Sequence, residues 1–240
     1  VLRDGEMAFL GDATAAVKQF NNLLKGARKP ADAVALPERN RTGEAVVDEK
    51  EILWPDDQAF YQIKESDQIL SEIARCTRAA LCDNDLQPCN VFHQGEKGRL
   101  FFEFQFLADV VWPVCGFCIR NNAGLMIHGR LLIQADEVKL AEVGLAGSYL
   151  RCGCEISLDL SCGEYTIDFG LSSMPDYQKL GRDRSISLDA FNEIHQRISD
   201  THAVLTFAIV LPKTYTGLQL THYGLVDLPG KMEYEITKRS

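Results

Sequence analysis

The run Pro113 to Gly129 (PVCGFCIRNNAGLMIHG) constrains the fold more than any other part of this chain. Cys115, Phe117 and Ile119 alternate with other residues, so a strand presents them on one face, and Leu125 and Ile127 repeat the pattern on a second strand. Between them Asn121, Asn122, Ala123 and Gly124 are turn chemistry, because Asn and Gly take positive φ at little steric cost. The run predicts an antiparallel hairpin. A hairpin with one apolar face needs a second apolar layer to cover it.

The same short-period alternation recurs along the chain. It predicts strands over 72–82, 99–110, 114–120, 125–135, 150–160, 165–172 and 203–211. Turn signals separate them at Asp83 to Asp85, Gln94 with Gly95, Gly144 to Ser148, Cys162 with Gly163, and Pro175 with Asp176. Short strands punctuated in this way predict an all-β, immunoglobulin-like antiparallel sandwich. Two helices are expected beside it. Thr14 can cap residues 15–24, where Val17, Phe20, Leu23 and Leu24 form a stripe. Ser187 can cap residues 188–199, where Leu188, Phe191, Ile194 and Ile198 share a face. From Gly26 to about Asp57 the composition turns to Lys, Arg, Ala, Pro, Asp and Glu with little period, which is linker chemistry; 59–70 reads as a short helix or an extended lead-in.

A net charge of -9 argues against nucleic acid, which needs a basic face, and against direct docking on an anionic lipid surface. No apolar run approaches the roughly 18 residues of a membrane span. Position 1 is Val and no leader pattern opens the chain, so a fragment of a longer protein is expected. The eight cysteines are scattered through a chain too long to need staples, and a reducing compartment with free thiols follows. Cys115 and Cys118 form a Cys-X-X-Cys beside Trp112, but strand periodicity sends residues three apart to opposite faces and so disfavours a redox pair. The same divergence weakens a zinc site built from Cys115, Cys118, Cys152 and Cys154. There is no phosphate-cradling G-x-x-x-x-G-K-[ST] and no G-x-S-x-G nucleophile elbow.

Several stretches resemble one family. Pro113, Gly116, Phe117 and Ile119, the Asn-to-Gly124 turn, and Ile127 with Gly129 look like the sugar-binding C-terminal domain of the ATPase subunit (Wzt) of O-antigen ABC transporters. Ser71 to Leu81 looks like that family's opening strand, Glu155 to Ile167 like its L-x-x-G-x-Y-x-I strand pair, and Gly224 to Pro229 like its closing motif. Gly5 to Gly11, with Val17 and Phe20, resembles the last turn of an exporter nucleotide-binding domain. Gly129 is followed by Arg130, Leu131 and Leu132, where the family often has Asn and Thr. The resemblance implies three parts: residues 1–27 as the tail of an ATPase domain, 28–70 as linker and lead-in, and 71–240 as a carbohydrate-binding sandwich. It further implies a homodimer exchanging its C-terminal strand, with Thr216 and Gly217 as hinge. The implied partners are an O-polysaccharide glycan, the ATPase domain of the parent chain and a membrane transport subunit, on the cytoplasmic side of the inner membrane.

Candidate ligand-binding residues follow from the polar side of the expected strands. Opposite Leu125, Ile127, Leu131 and Ile133 the second hairpin strand carries Met126, His128, Arg130 and Gln134. Cys118 and Arg120 are expected to join them from the first strand, Asp168 from 165–172 and Thr206 from the last strand. Planar side chains such as Arg, Asp, Gln and His can pair with neighbouring sugar hydroxyls, and Arg also matches a carboxylate or phosphate. The row is equally readable as an ordinary solvated sheet face. No cofactor, metal or catalytic residue is assigned. A sandwich-fold sugar-active enzyme using His128 and Asp168 as acid and base, or a dimerisation module without ligand, stays open.

Overall fold

The computed structural model describes residues 2–3, 6–7, 53–69, 72–135, 140–175, 177, 195–211, 213–214, 217–218, 222 and 224–228. The chain divides into two compact units, Val1–Lys50 and Glu51–Ser240. In the first, β1 (Leu2–Arg3) and β2 (Glu6–Met7) pair antiparallel. The helix expected over 15–24 and the linker before residue 51 lie outside the described residues.

The second unit is a β-sandwich. Its strands are β3 (Tyr61–Gln62), β4 (Gln68–Ile69), β5 (Ala74–Cys82), β6 (Val91–His93), β7 (Lys97–Phe106), β8 (Val110–Val111), β9 (Pro113–Asn121) and β10 (Met126–Leu131), then β11 (Val143–Gly144), β12 (Tyr149–Ser157), β13 (Gly163–Ser173), β14 (Gln196–Thr201), β15 (Leu205–Val210), β16 (Lys213–Thr214) and β17 (Gly217–Leu218). The smaller sheet runs β12-β7-β5-β3. The larger runs β10-β9-β13-β14-β4, with β15 also on β13 and β6 parallel to β15. Each of the seven expected strands is present, and the described residues of this unit contain no α-helix.

Alternation builds the core. Leu100, Phe102, Phe104 and Phe106 of β7 face Cys115, Phe117 and Ile119 of β9 and Ile167, Phe169 and Leu171 of β13, all buried. Phe102 and Phe169 join the two sheets at a ring-centroid distance of 4.7 Å. Gly116 is fixed by crowding. A Cβ there would meet Arg130 O and Leu131 Cδ2 at 2.6 Å, so β10 can cross β9 closely only where the side chain is absent.

One expected helix is overturned. Residues 196–199, placed in a helix by their spacing, belong to strand β14, which pairs antiparallel with the C-terminal half of β13. The rest of that expected helix lies outside the described residues. β15 continues along the N-terminal half of the same strand, so β14 and β15 act as one long partner interrupted at 202–204. The backbone groups on that side of β13 need partners, and this ladder outweighs a local 3.6-residue period.

The lead-in before β5 is part of the sandwich. Trp54 stacks on Phe60 (5.1 Å) and meets Phe101 edge-on (5.4 Å), sealing a second apolar cluster of Phe60, Ala80, Cys82 and Phe101 on the outer face of the smaller sheet. Beside it Glu103, 4% exposed, accepts from Arg78 Nη2 (3.1 Å), Thr77 Oγ1 (2.8 Å) and Arg151 Nε (2.8 Å). The guanidinium of Arg78 lies 4.7 Å from the Phe60 ring and that of Arg151 lies 5.3 Å from Trp54. Burial pushes the Glu103 carboxyl up, but the hydrogen bonds from Arg78, Thr77 and Arg151 outweigh it, and its pKa falls below the ordinary 4.5.

A carboxyl whose folded pKa is depressed contributes stability that is complete above its unfolded value and lost as pH falls through the folded one. Acid unfolding of the wild type should therefore deepen below pH 4.5. Glu103→Gln should cost about 3 kcal/mol at neutral pH, because it leaves two guanidinium groups facing an amide, and should flatten the acid slope. Equal melting temperatures and equal acid slopes for the two proteins would refute this.

Candidate functional site

The outer face of the larger sheet is where the expected polar row can be compared with the structure. In β9 and β13, Arg120 pairs with Thr166 and Cys118 with Asp168, and Thr166 pairs in turn with Thr206 of β15. Cys118, Arg120, Asp168 and Thr206 therefore share one face, as alternation requires.

β10 breaks the expected pattern. Met126 pairs with Arg120, but the next partners are His128 with Ile119 and Arg130 with Phe117. Ile127 is the extra residue of a bulge, and an odd insertion sends every later side chain to the other face. His128 and Arg130 thus leave the row and join the side that carries Phe117 and Ile119. The His128 ring lies 5.8 Å from that of Phe117. Burial and then the Arg130 charge hold the His128 pKa below 6.5. Gly129 and Leu131 take the outer places instead. Gln134 leaves the row as well. β10 ends at Leu131, and residues Leu132–Gln134 form a 3-10 turn in which Gln134 Oε1 accepts the Leu131 N–H at 2.8 Å. An acid–base pair of His128 and Asp168 is not assembled, since the two sit on opposite faces of the sheet.

Asp168 is on the expected face but is 3% exposed. Its Oδ2 accepts from Arg120 Nε at 2.9 Å and Cys118 Sγ at 3.5 Å, and its Oδ1 accepts the Ala203 N–H at 2.7 Å. Ala203 has φ 47°, the left-handed region, in the interruption between β14 and β15. Thr201 completes the seal, its Oγ1 accepting the Phe169 N–H at 2.7 Å. Arg120 Nη1 donates to Gly124 O at 3.1 Å, which ties the hairpin turn to the same cluster. Arg120 and Asp168 therefore tie the hairpin turn to the interruption between β14 and β15. A charge in a strand that must face outward was the signal for a ligand contact; the bulge in β10 has no local sequence signature.

What remains open to solvent lies one residue pair away. Asn90, Asn122, Glu164, Thr166 and Thr206 line a shallow groove of ≈ 360 Å³ across β13, β15 and the end of β6. Thr206 and Asn90 also border a second groove of ≈ 310 Å³ beside Tyr61 and Cys89. Asn122 belongs to the expected hairpin turn, and Thr166 lies on the face of Asp168; the parallel pairing of β6 with β15 brings them together with Asn90.

Cys115 and Cys118 divide between the two faces of the larger sheet. Cys118 is on the outer face with Asp168, whereas Cys115 donates toward Cys152 between the sheets. That hydrogen bond, then burial, holds the Cys115 pKa well above 9.0. Among the described residues no helix is long and apolar enough to cross a membrane.

Two packed sheets, antiparallel except where β6 runs beside β15, define a β-sandwich domain. A profile of the Wzt C-terminal domain family matches residues 66–206, more than half of the 240 residues, and the chain belongs to that family. The family is one of carbohydrate-binding domains of O-antigen transporters. Among solved structures the chain is similar to the crystal structure of the C-terminal domain of Wzt, with 14% identity and a TM-score of 0.48 over 67% of this chain and 88% of that one. It is also similar to a CARDB domain from Pyrococcus furiosus solved in complex with di-metal ions, with 9% identity and a TM-score of 0.30 over 62% of this chain and 100% of that one. No curated protein matches the chain.

Asp168→Ala should destabilise the domain by about 3–5 kcal/mol, because it strands Arg120 and the Ala203 N–H. Thermal unfolding within 1 °C of the wild type would show that the cluster is a surface feature after all.

Proposed function

We propose that the domain binds an O-polysaccharide on the outer face of the larger sheet, in the groove between Asn122, Thr166 and Thr206. The observation that carries this reading is a row of hydroxyl and amide groups held on a rigid sheet, with Arg120 and Asp168 fixing the backbone beneath them. Such groups donate and accept hydrogen bonds with sugar hydroxyls, and a preorganised sheet spends little entropy on ordering them. The groove is open and shallow, which suits one end or one repeat of a long polymer.

Binding at the modified non-reducing end selects the polymer for export by the transporter. The ATPase domain, of which 1–27 is the tail, and a membrane subunit carry out the transport on the cytoplasmic side of the inner membrane. The domain itself performs no chemistry in this reading.

Calorimetric titration with non-reducing-end fragments of the polysaccharide tests it. Thr166→Val with Thr206→Val keeps shape and strand preference while removing two hydroxyls, and should weaken binding about ten-fold without lowering the melting temperature. Unchanged affinity moves the site off this face.

We also infer a homodimer that exchanges its C-terminal segment. Within one chain, residues 224–228 run along 159–161, with Ser161 N–H donating to Leu225 O (3.0 Å) and Asp227 N–H to Asp159 O (2.9 Å). Leu225, Val226 and Leu228 are 50%, 38% and 79% exposed there, an apolar edge that a second copy would cover. Sedimentation at micromolar concentration should give a dimer, and truncation after Leu211 should give a monomer. A monomeric full chain contradicts the exchange.

A further inference from the structure

We propose that the outer face of the smaller sheet is a second saccharide site, one that takes a sugar bearing a carboxylate or phosphate group. The inference rests on the glycan-binding reading, but on the opposite side of the sandwich from the Thr166 and Thr206 groove.

Two cross-strand rows build it. In the first, Arg75 of β5 and Tyr149 of β12 both pair with Gln105 of β7. Gln105 Oε1 accepts Arg75 Nε at 3.0 Å and Nη2 at 2.7 Å, and Gln105 Nε2 donates to Tyr149 Oη at 3.2 Å. In the second row, two residues along β7 and β12, Glu103 lies between Arg78 and Arg151. Alternation brings both rows to the same outer face, about 7 Å apart along the strands.

The charges are arranged for an anion. Glu103 is buried and already engaged by Arg78, Thr77 and Arg151, so it presents little free charge. The two rows and the contact of Arg78 with Asp57 set three guanidinium groups against two carboxylates, in a chain of net charge -9. Arg75 and Arg151 are each anchored through Nε, which fixes the plane of the guanidinium. Among the described residues no acceptor engages Nη1 of Arg75 or either Nη of Arg151. Those donors have the fork geometry that pairs with a carboxylate or phosphate. Tyr149, 52% exposed, adds a flat apolar ring with a polar tip beside them, a match for the C–H face and hydroxyl rim of a pyranose. Local positive charge is also what draws an anionic polymer to an otherwise acidic domain.

The test titrates the full 240-residue chain with four probes: an oligogalacturonate, its neutral methyl ester, a phosphorylated oligomannoside and its dephosphorylated form. At least one acidic probe should bind ten-fold or more tighter than its neutral control, and the probe that does so identifies the anion. Raising salt should weaken that binding. Arg75→Gln and Tyr149→Ala, both outside the core, should each reduce it about ten-fold with melting temperature unchanged. Equal binding of acidic and neutral probes, or binding insensitive to both substitutions, overturns the proposal. If affinity for the acidic probe instead follows Thr166→Val with Thr206→Val, the second site is wrong while the glycan reading stands. Failure of every probe and of the O-polysaccharide fragments removes both.

Discussion

Asp168 is a carboxylate buried on the outer side of a sheet, with the apolar core on the other side, and the larger sheet depends on how it is satisfied. Taking a charge out of water costs several kcal/mol unless partners replace the solvent. Arg120, Cys118 and the Ala203 N–H are among the donors that do so. Each ties down a different piece of backbone. Arg120 reaches the hairpin turn through Gly124, Cys118 stands on the neighbouring strand, and Ala203 lies where β14 gives way to β15. The groove beside Thr166 and Thr206 lies next to this group, on strands β13 and β15.

Glu103 solves the same problem on the smaller sheet with a different consequence. Its partners Arg78 and Arg151 come from the two strands flanking β7, and both guanidinium groups also cover Trp54 or Phe60. The buried carboxylate thereby fastens residues 54–60 to the outside of the sheet, and the apolar cluster beneath them is closed by that strap. An apolar substitute at position 103 could be as stable, since buried ion pairs often break even with well-packed hydrophobes. It would lose the orientation of Arg151.

Both sheets therefore carry an ion pair where a simple sandwich would have solvated residues. The two differ in what remains outside. Around Asp168 the surface left to solvent is made of hydroxyls and amides, with Glu164 at the margin. Around Glu103 it is made of guanidinium donors and an exposed tyrosine. The two outer faces therefore differ in chemistry, hydroxyl and amide groups on one and guanidinium groups on the other.

Alternation and turn chemistry were enough to read the β-sandwich, seven of its strands and the face on which Cys118, Arg120, Asp168 and Thr206 lie, because a period of two is a local property of the backbone. Tertiary structure decided the rest. The bulge at Ile127 moved His128 and Arg130 to the other face, and no residue type there demands an extra residue; Leu131 packing across Gly116 sets the register beyond it. The vacant side of β13 drew 196–199 out of a helical pattern into a ladder. Phe101 and Glu103 sat off the pattern of an outward strand face, and only the arrival of Trp54 from the lead-in gives them a reason. Local sequence specifies periods and turns, whereas register, burial of a charge and the meeting of distant strands depend on partners that the chain supplies only once it is folded.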